Sequence, residues 1–250
     1  MSKILCIDAA TEACSVALLN GTEITQEYRV APRQHAALLL PMVESLLADS
    51  DLSLNQLDAI ACNVGPGAFT GIRIGVSVAQ GLAYGAQLPT IAVSGLYCLA
   101  QQAFKVNSGD FCLAAIDARM GEVYFAPFRR DESGHAENLE SEVVISPRYI
   151  TAKSVAAAFN RGKQTETGED EQDTCKRIFS LAGSGWAAYE TDFKNNGINY
   201  EQLIEAQFPR AETGLSWAKI AFKKGNLLSP ADLQPSYLRN KVAEKKAKTS

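Results

Sequence analysis

The sequence predicts an α/β fold made of two similar lobes, and three observations support this prediction. A first apolar strand candidate ends in Ile7-Asp8-Ala9, and a second one, which begins near Asp110, ends in Ile116-Asp117-Ala118. A further strand candidate follows each of them. Between the two, residues 57–84 contain an apolar run, a glycine-rich turn and a helix candidate, an order typical of α/β units. The repeat at the start of each half indicates a duplicated fold.

The length and charge of the chain limit what it can bind alone. Its 250 residues are enough for two modest lobes, and its hydrophobic content of 46% is enough for a core. With 24 basic against 28 acidic residues, it lacks a broad electropositive surface for nucleic acid. The opening apolar run ends at Asp8, too early for a signal peptide, and no segment predicts a membrane span. We expect a cytoplasmic protein with no membrane contact.

The cysteines show no CxxC pair and no spacing typical of a zinc site. Most of them lie in apolar runs, so we expect them to be reduced, buried and unreactive. They are Cys6, Cys14, Cys62, Cys98, Cys112 and Cys175.

The first half begins with three strand candidates and a helix. The second and third strands, residues 13–19 and 23–30, flank Asn20-Gly21, a dipeptide typical of hairpins. Apolar residues then recur at helical spacing from Leu39 to Leu47. Pro41 should remove one backbone hydrogen bond from this helix and bend its early turns.

A helix rich in small residues follows the turn at residues 65–68. Pro66 fixes φ there, and the glycines on either side allow positive φ or a close approach of backbone. On the helix, small residues recur every four positions and form a narrow stripe with almost no side chain. The stripe consists of Gly71, Gly75, Ala79 and Ala83.

Three interpretations of this stripe are open. It could pack on the protein's own sheet, or it could dock against a partner helix with Arg73 and Tyr84 as anchors. Alternatively, the turn could bind phosphate, because free N–H groups at a helix start attract anions. The phosphate interpretation is the weakest, since the turn lacks the lysine of a GxxxxGK[ST] loop.

The second half carries weaker signals. Residues 123–128 predict a strand, and the polar stretch from Arg161 to Arg177 predicts an exposed, mobile loop. Residues 181–186 predict a strand and a glycine turn, and residues 212–223 predict an amphipathic helix. The basic stretch from Arg239 to Ser250 is typical of a solvated tail, with contact to RNA or an acidic partner as the alternative.

The sequence offers little catalytic chemistry. His35 and His135 are far apart, no HExxH pair is present, and no GxSxG elbow supports a serine hydrolase. The turn after Asp8 contains no glycine and adds the carboxylate of Glu12, which disfavours a triphosphate. Asp8 and Asp117 either face a common cleft or each cap their own turn. We therefore expect no catalytic, metal or cofactor residues, and weak or absent nucleotide binding.

Several separated blocks resemble the TsaB (YeaZ) family, bacterial accessory proteins for threonylcarbamoyladenosine synthesis on tRNA. The similarity is dense as far as Tyr124 and sparse between Ser133 and Ser236. The blocks that carry it are residues 7–18, Arg33-Gln34-His35, GPGAFTGIRIG with residues 79–83, residues 116–124 and Tyr237-Leu238-Arg239-Asn240.

The resemblance implies an actin-like (ASKHA) α/β fold with two ribonuclease-H-like lobes, whose mixed sheets are flanked by helices. We assign residues 1–105 to an N-terminal lobe with the partner-binding helices and residues 106–236 to a C-terminal lobe. Residues 237–250 form a C-terminal segment with the basic tail.

The resemblance also implies partners. The family pairs with a catalytic paralogue, TsaD, joined by the ATPase TsaE, to transfer a threonylcarbamoyl group to the adenosine beside the anticodon. The paralogue holds a metal with a histidine pair after its small-residue helix. The corresponding residues 93–99 contain no histidine here, so the resemblance implies that this metal site is lost.

We therefore predict a non-catalytic scaffold that meets a TsaD-like paralogue, a TsaE-like ATPase and, through the complex, tRNA. The same helices could form a homodimer when the paralogue is absent. An active ATPase or kinase of the actin-like superfamily and a peptidase are the alternatives. The residues expected at the partner interface are Leu39, Val43, Leu46, Gly71, Arg73, Gly75, Ser77, Ala79, Ala83 and Tyr84.

Overall fold

The computed structural model describes residues 2–106, 109–161, 179–198 and 206–239, and these form two lobes, each built on one mixed sheet. The first sheet has the strand order β3-β2-β1-β4-β5. Its central strands β1 and β4 are almost wholly apolar because helices cover both of their faces, whereas the edge strand β3 is more polar. The strands are β1 Lys3–Asp8, β2 Ala13–Asn20, β3 Glu23–Val30, β4 Ala59–Gly65 and β5 Thr90–Ser94.

The second sheet repeats the opening of the first. An apolar strand that ends near an aspartate, β6, pairs antiparallel with the strand that follows it, as β1 does with β2. The sheet order is β10-β6-β7-β8, and β9 also pairs with β7. The predicted pair of α/β lobes is confirmed. The strands are β6 Phe111–Arg119, β7 Glu122–Arg130, β8 Ala136–Asn138, β9 Val143–Ile145 and β10 Ser180–Ala182.

Helices cover the outer face of each sheet. Two of them, α1 and α2, pack on each other and bury their apolar sides against the first sheet, and three more cover the second sheet. These five helices are α1 His35–Asp49, α2 Phe69–Ala86, α4 Ala152–Arg161, α5 Gly185–Ala188 and α6 Glu190–Asn195. The turns between elements include the short 3-10 helices Leu54–Gln56, Pro147–Tyr149 and Pro230–Asp232.

Two helices lie between the sheets and cross the predicted domain boundaries. Helix α3, Gly95–Val106, contacts several strands of the second sheet, and α7, Ala211–Lys223, contacts β1, β2, β4 and β5 of the first. Both contribute to the core that fills the space between the lobes. The amphipathic helix predicted at residues 212–223 is therefore present. Its assignment to the C-terminal lobe is wrong, because its apolar side covers the first sheet.

The chain after α7 also returns to the first lobe. The backbones of Thr90 and Leu228 form a bridge beside β5, and Leu233 is fully buried among residues of the first lobe. The N–H of Ser236 then donates to the carbonyl of Val64, at 2.8 Å. Residues 228–236 consequently belong to the first lobe, which corrects the boundary that we placed at residue 236.

Several other expectations concern single segments. Pro41 lies inside α1, and Arg161 ends α4 instead of opening a loop. The rest of the predicted loop, to Arg177, and the basic tail beyond Arg239 lie outside the described residues, as does Cys175. Within the described ranges, no helix combines the length and apolarity needed to cross a membrane.

Candidate functional site

The turn at the start of α2 packs directly on the turn between β1 and β2. Gly65 ends β4 with φ +120°, and a side chain at Gly67 would place its Cβ 2.1 Å from the carbonyl oxygen of Ala10. The N–H of Ala68 donates to the same carbonyl at 2.7 Å. Protein backbone therefore occupies part of the space in which the phosphate interpretation would place an anion.

The small-residue stripe of α2 faces the protein's own first lobe. A Cβ on Gly71 would lie 2.1 Å from the carbonyl oxygen of Ala9, and one on Gly75 would lie 3.4 Å from the Ala9 Cβ. Ala79 and Ala83 are fully buried in the core of this lobe. Our prediction that these four residues present a surface to a partner is wrong for this chain, because they provide the close approach between α2 and the sheet.

Helix α1 requires the same correction. Leu39, Val43 and Leu46 are buried in the same core as the stripe. They form the apolar side of an amphipathic helix, and that side must cover the sheet if the sheet is to be removed from water. These three side chains are therefore not available for contact with a partner, and they affect an interface only by holding α1 in place.

The outer side of α2 carries a second stripe of small residues. Ser77, Gly81 and Gly85 recur every four positions, all three are exposed, and a Cβ on either glycine would meet nothing within 4 Å. Tyr84, which is 80% exposed, lies beside them. Of the ten predicted interface residues, Ser77 and Tyr84 thus lie on an open surface.

Helix α1 extends this surface. Because α1 and α2 cover the same face of the sheet and pack on each other, their exposed sides both point away from it. On α1 the exposed side includes Leu40, an apolar side chain 45% exposed, together with the small residues Ala37 and Ala48. We call Leu40, Ser77, Gly81, Tyr84 and Gly85 the outer helix face.

Arg73 is exposed, and its side chain contacts Tyr237 of the C-terminal segment. Its Nε donates to the hydroxyl of Tyr237 at 2.8 Å, and its guanidinium carbon lies 3.9 Å from the ring centre of Phe69. The rings of Phe69 and Tyr237 are themselves 5.7 Å apart. An arginine stacked on an aromatic ring keeps its charge while it packs a planar face, so these three residues form a cluster at the start of α2.

A cavity of about 870 Å³ lies between the lobes, below this cluster. The first lobe contributes the β1–β2 turn and the start of α2, and the second contributes the β6–β7 region. Among the described lining residues, two side chains are acidic and two are basic, so their charges cancel. These four are Glu12, Asp117, Arg119 and Arg239.

Asp8 is buried beside the cavity and caps its own turn. Its carboxylate accepts hydrogen bonds from the N–H of Ala10, at 3.0 Å, and from Nδ2 of Asn63, at 2.6 Å. Burial raises the pKa of Asp8 to about 6, and these two hydrogen bonds partly oppose the rise. Of the two interpretations of Asp8, the structure supports turn capping.

Asp117 caps its turn as well, but it also lines the cavity. It accepts from the N–H of Arg119 at 2.8 Å and from the Tyr189 hydroxyl at 3.1 Å, and it forms an ion pair with the Arg119 guanidinium at 2.8 Å. Arg119 also pairs with Glu12 of the first lobe, at 2.9 Å. Three of the four charged residues that line the cavity therefore pair with one another, and the pair of Arg119 and Glu12 joins the two lobes.

The histidines have structural surroundings. His35 is buried at the start of α1, and its Nε2 lies 2.8 Å from the carbonyl oxygen of Thr11. A carbonyl only accepts, so this nitrogen carries the proton and the ring fixes the β1–β2 turn. His135 lies in the second lobe, near Asp131. No three His, Cys, Asp or Glu side chains come together as a metal site within the described ranges.

Comparison with known proteins gives the family. A family model described as TsaD, tRNA N6-adenosine threonylcarbamoyltransferase, matches residues 19–247. The tRNA threonylcarbamoyladenosine biosynthesis protein TsaB of Escherichia coli (strain K12) is 41% identical over 98% of this chain and 97% of its own. The chain belongs to the TsaB family. The Haemophilus influenzae protein of the same name is 38% identical over 97% of this chain and 96% of its own.

A solved structure supports the fold of this TsaB-family chain. The structure described as YeaZ from Pseudomonas aeruginosa has a TM-score of 0.80 and 37% identity, and it covers 95% of this chain and 100% of its own. The predicted actin-like pair of mixed-sheet lobes is thereby confirmed. On α2 of this TsaB-family protein, the small residues expected at the partner interface belong to the buried, inner stripe. The same four-residue spacing recurs at Ser77, Gly81 and Gly85, which form an exposed stripe, and of these three only Ser77 was among the expected interface residues.

Proposed function

We propose that this chain is a non-catalytic subunit in tRNA threonylcarbamoyladenosine synthesis, acting in the cytoplasm as a scaffold for a catalytic, TsaD-like paralogue. Its relationship to TsaB proteins over nearly the whole chain carries this proposal. A TsaE-like ATPase completes the assembly, and tRNA reaches this chain through the complex. In the absence of the paralogue, the same surface pairs two copies of the chain.

The internal pairing of the cleft charges supports a non-catalytic role. A catalytic carboxylate must be accessible to the substrate. Asp8 is buried and accepts hydrogen bonds within its own turn, and Asp117 forms an ion pair with Arg119. Glu12 also adds a carboxylate to the lining of the cavity, and a negative charge there disfavours a triphosphate. These features, together with the names of the relatives, do not favour an active ATPase or kinase.

The outer helix face is the surface that we propose for the paralogue. The exposed glycines let a partner helix approach the backbone of α2 closely, and Tyr84 and Leu40 supply exposed apolar area beside them. Buried tyrosine is among the residues that contribute most to protein interfaces. We propose this surface in place of the inner stripe. Arg73 is not part of it, because its side chain is engaged with Tyr237 of the same chain.

We expect Gly81→Leu to weaken binding to the TsaD-like paralogue at least tenfold, because its side chain would separate the two helices. The monomer should remain folded, since a side chain at this position meets open space. Sedimentation velocity of the purified chains, alone and mixed, measures the binding, and circular dichroism measures the fold. The matched control is Ala187→Leu, which enlarges an exposed small residue on a helix of the second lobe.

A tRNA-modification assay then tests the function. Supplied with the ATPase and the threonylcarbamoyl adenylate, the mixture of chain and paralogue should modify tRNA, and neither protein alone should do so. Unchanged binding by Gly81→Leu would show that the outer helix face is not the interface. Modification by this chain alone would contradict the scaffold role itself.

A further inference from the structure

The segment that follows Leu233 touches both lobes within a few residues. Its start is fixed to the first lobe, where the carbonyl of Leu233 accepts from Gln80 of α2 at 2.9 Å and the N–H of Ser236 donates to Val64 at 2.8 Å. A side chain on Gly65 would lie 2.9 Å from the Ser236 carbonyl oxygen. The segment therefore lies tightly against the strand and the helix that flank the glycine-rich turn.

Three residues later the segment reaches the second lobe. Arg239 Nη2 donates to the Glu122 carboxylate and lies 3.4 Å from the carbonyl oxygen of Arg119, and its Nη1 lies 3.5 Å from the Met120 sulfur. These partners are the end of β6, the start of β7 and the turn between them. Charge-assisted hydrogen bonds of this kind are the stronger ones in proteins, and the Arg239 side chain is only 18% exposed.

The turn that contacts Arg239 has a left-handed backbone conformation. Arg119, Met120 and Gly121 all have positive φ, at 62°, 58° and 78°, although two of them are not glycine. Such conformations persist where surrounding contacts determine them, and they occur often at switch regions. Asp117 of the same hairpin supplies some of these contacts, and others come from outside it, namely from Arg239 of the C-terminal segment and from Glu12 of the first lobe.

We propose that residues 236–239 are a latch that holds the two lobes closed over the cleft and links their closure to α2. Ser236 binds the latch to Val64 of the first lobe, and Arg239 binds it to Glu122 of the second. Tyr237, between them, contacts Arg73 and Phe69 at the start of α2. The link to α2 rests on the proposed function, because α2 carries the proposed paralogue surface. Closure of the lobes does not depend on that function.

The physical basis is the short chain between the three contacts. Tyr237 lies one residue after Ser236 and two residues before Arg239. Any movement of Arg73 that displaces Tyr237 must therefore also move Arg239. Conversely, separation of the lobes breaks the contact between Arg239 and Glu122. The segment that carries Tyr237 is then no longer held on its C-terminal side. A partner that binds α2 and keeps Arg73 and Phe69, at its start, in contact with Tyr237 therefore favours the closed lobes.

The first test measures the distance between the lobes in the full chain. Spin labels on cysteines at Thr70 of the first lobe and Thr191 of the second, both exposed, report it by double electron–electron resonance, with Cys175 replaced by serine. We expect a narrow distribution for the parent chain and a broader, longer one for Glu122→Gln and for Arg239→Gln. Glu137→Gln is the control, since it breaks an arginine–glutamate pair inside the second lobe. Unchanged distributions in both latch variants overturn the latch.

The second test measures binding of Glu122→Gln to the TsaD-like paralogue. If the closed state falls to between a tenth and a third of the molecules, the affinity falls by about three- to tenfold. Affinity within twofold of the parent overturns the link to α2. If the parent chain itself does not bind the paralogue, the proposed function and the link fail together, whereas the distance measurement still decides whether the latch closes the lobes.

Discussion

Gly71→Ala should destabilise the protein by about 3 kcal/mol, although alanine is the better helix former. The new Cβ would lie 2.1 Å from the carbonyl oxygen of Ala9, and backbone cannot move aside as a flexible side chain does. Insertion of a methyl group into such a contact forces α2 away from the sheet, at a cost near the upper end of the usual range for overpacking. Urea unfolding followed by circular dichroism measures the change.

Gly81→Ala, ten residues further along the same helix, is the matched control. Its Cβ meets nothing within 4 Å, so only the helix preference of alanine remains, and the variant should gain up to about 1 kcal/mol. Opposite signs for two identical substitutions on one helix would establish which side of α2 faces the sheet. Equal effects would contradict the orientation described here and would return the inner stripe to consideration as a partner surface.

Asp8 should make the stability of the protein fall as the pH rises from about 4 to 6. Its pKa is 3.8 as an ordinary aspartate and about 6 in the fold, so the folded state binds the proton more tightly than the unfolded chain does. The resulting contribution is fully present below pH 3.8 and is lost as the pH rises through 6. A shift of about two units corresponds to about 3 kcal/mol.

Comparison with Asp8→Asn isolates this contribution from the other carboxylates. The difference in unfolding free energy, parent minus variant, should fall by about 2 kcal/mol between pH 4 and pH 7, because asparagine does not titrate. Asp49→Asn, which removes an exposed carboxylate on α1, controls for the loss of one charge. A parent-minus-variant difference for Asp8→Asn that stays constant with pH would show that Asp8 is not held in the buried site described here.

The repeated start of the two halves was sufficient to predict the lobes. An apolar run that ends in Ile-Asp specifies a buried strand and the turn after it, and both properties are local. The orientation of α2 was not predictable in the same way. Both of its small-residue stripes have the same spacing, and only the position of the Ala9 carbonyl decides which of them is buried.

The contacts of the C-terminal segment could not be predicted from any pattern. Arg73 and Tyr237 are 164 residues apart, and Arg119 and Glu12 are 107 residues apart. The spacing of apolar residues and the residue types in turns predict only local structure. These pairs come into contact only after both lobes have formed. For the same reason, the assignment of α7 to the second lobe, made from its place in the chain, was wrong.

The return of α7 to the first sheet has a consequence during synthesis on the ribosome. The strands of that sheet end at Ser94, and α7 begins at Ala211, 117 residues later (211 − 94 = 117). At translation rates of about 5–20 residues per second, the helix follows roughly 6–23 s after the last strand. During this interval the nascent sheet lacks part of its cover, and residues such as Ile4 and Leu19 stay uncovered on that side. The first sheet therefore gains its full cover only after α7 is synthesised, and a chain that terminates before α7 carries an apolar surface that invites aggregation.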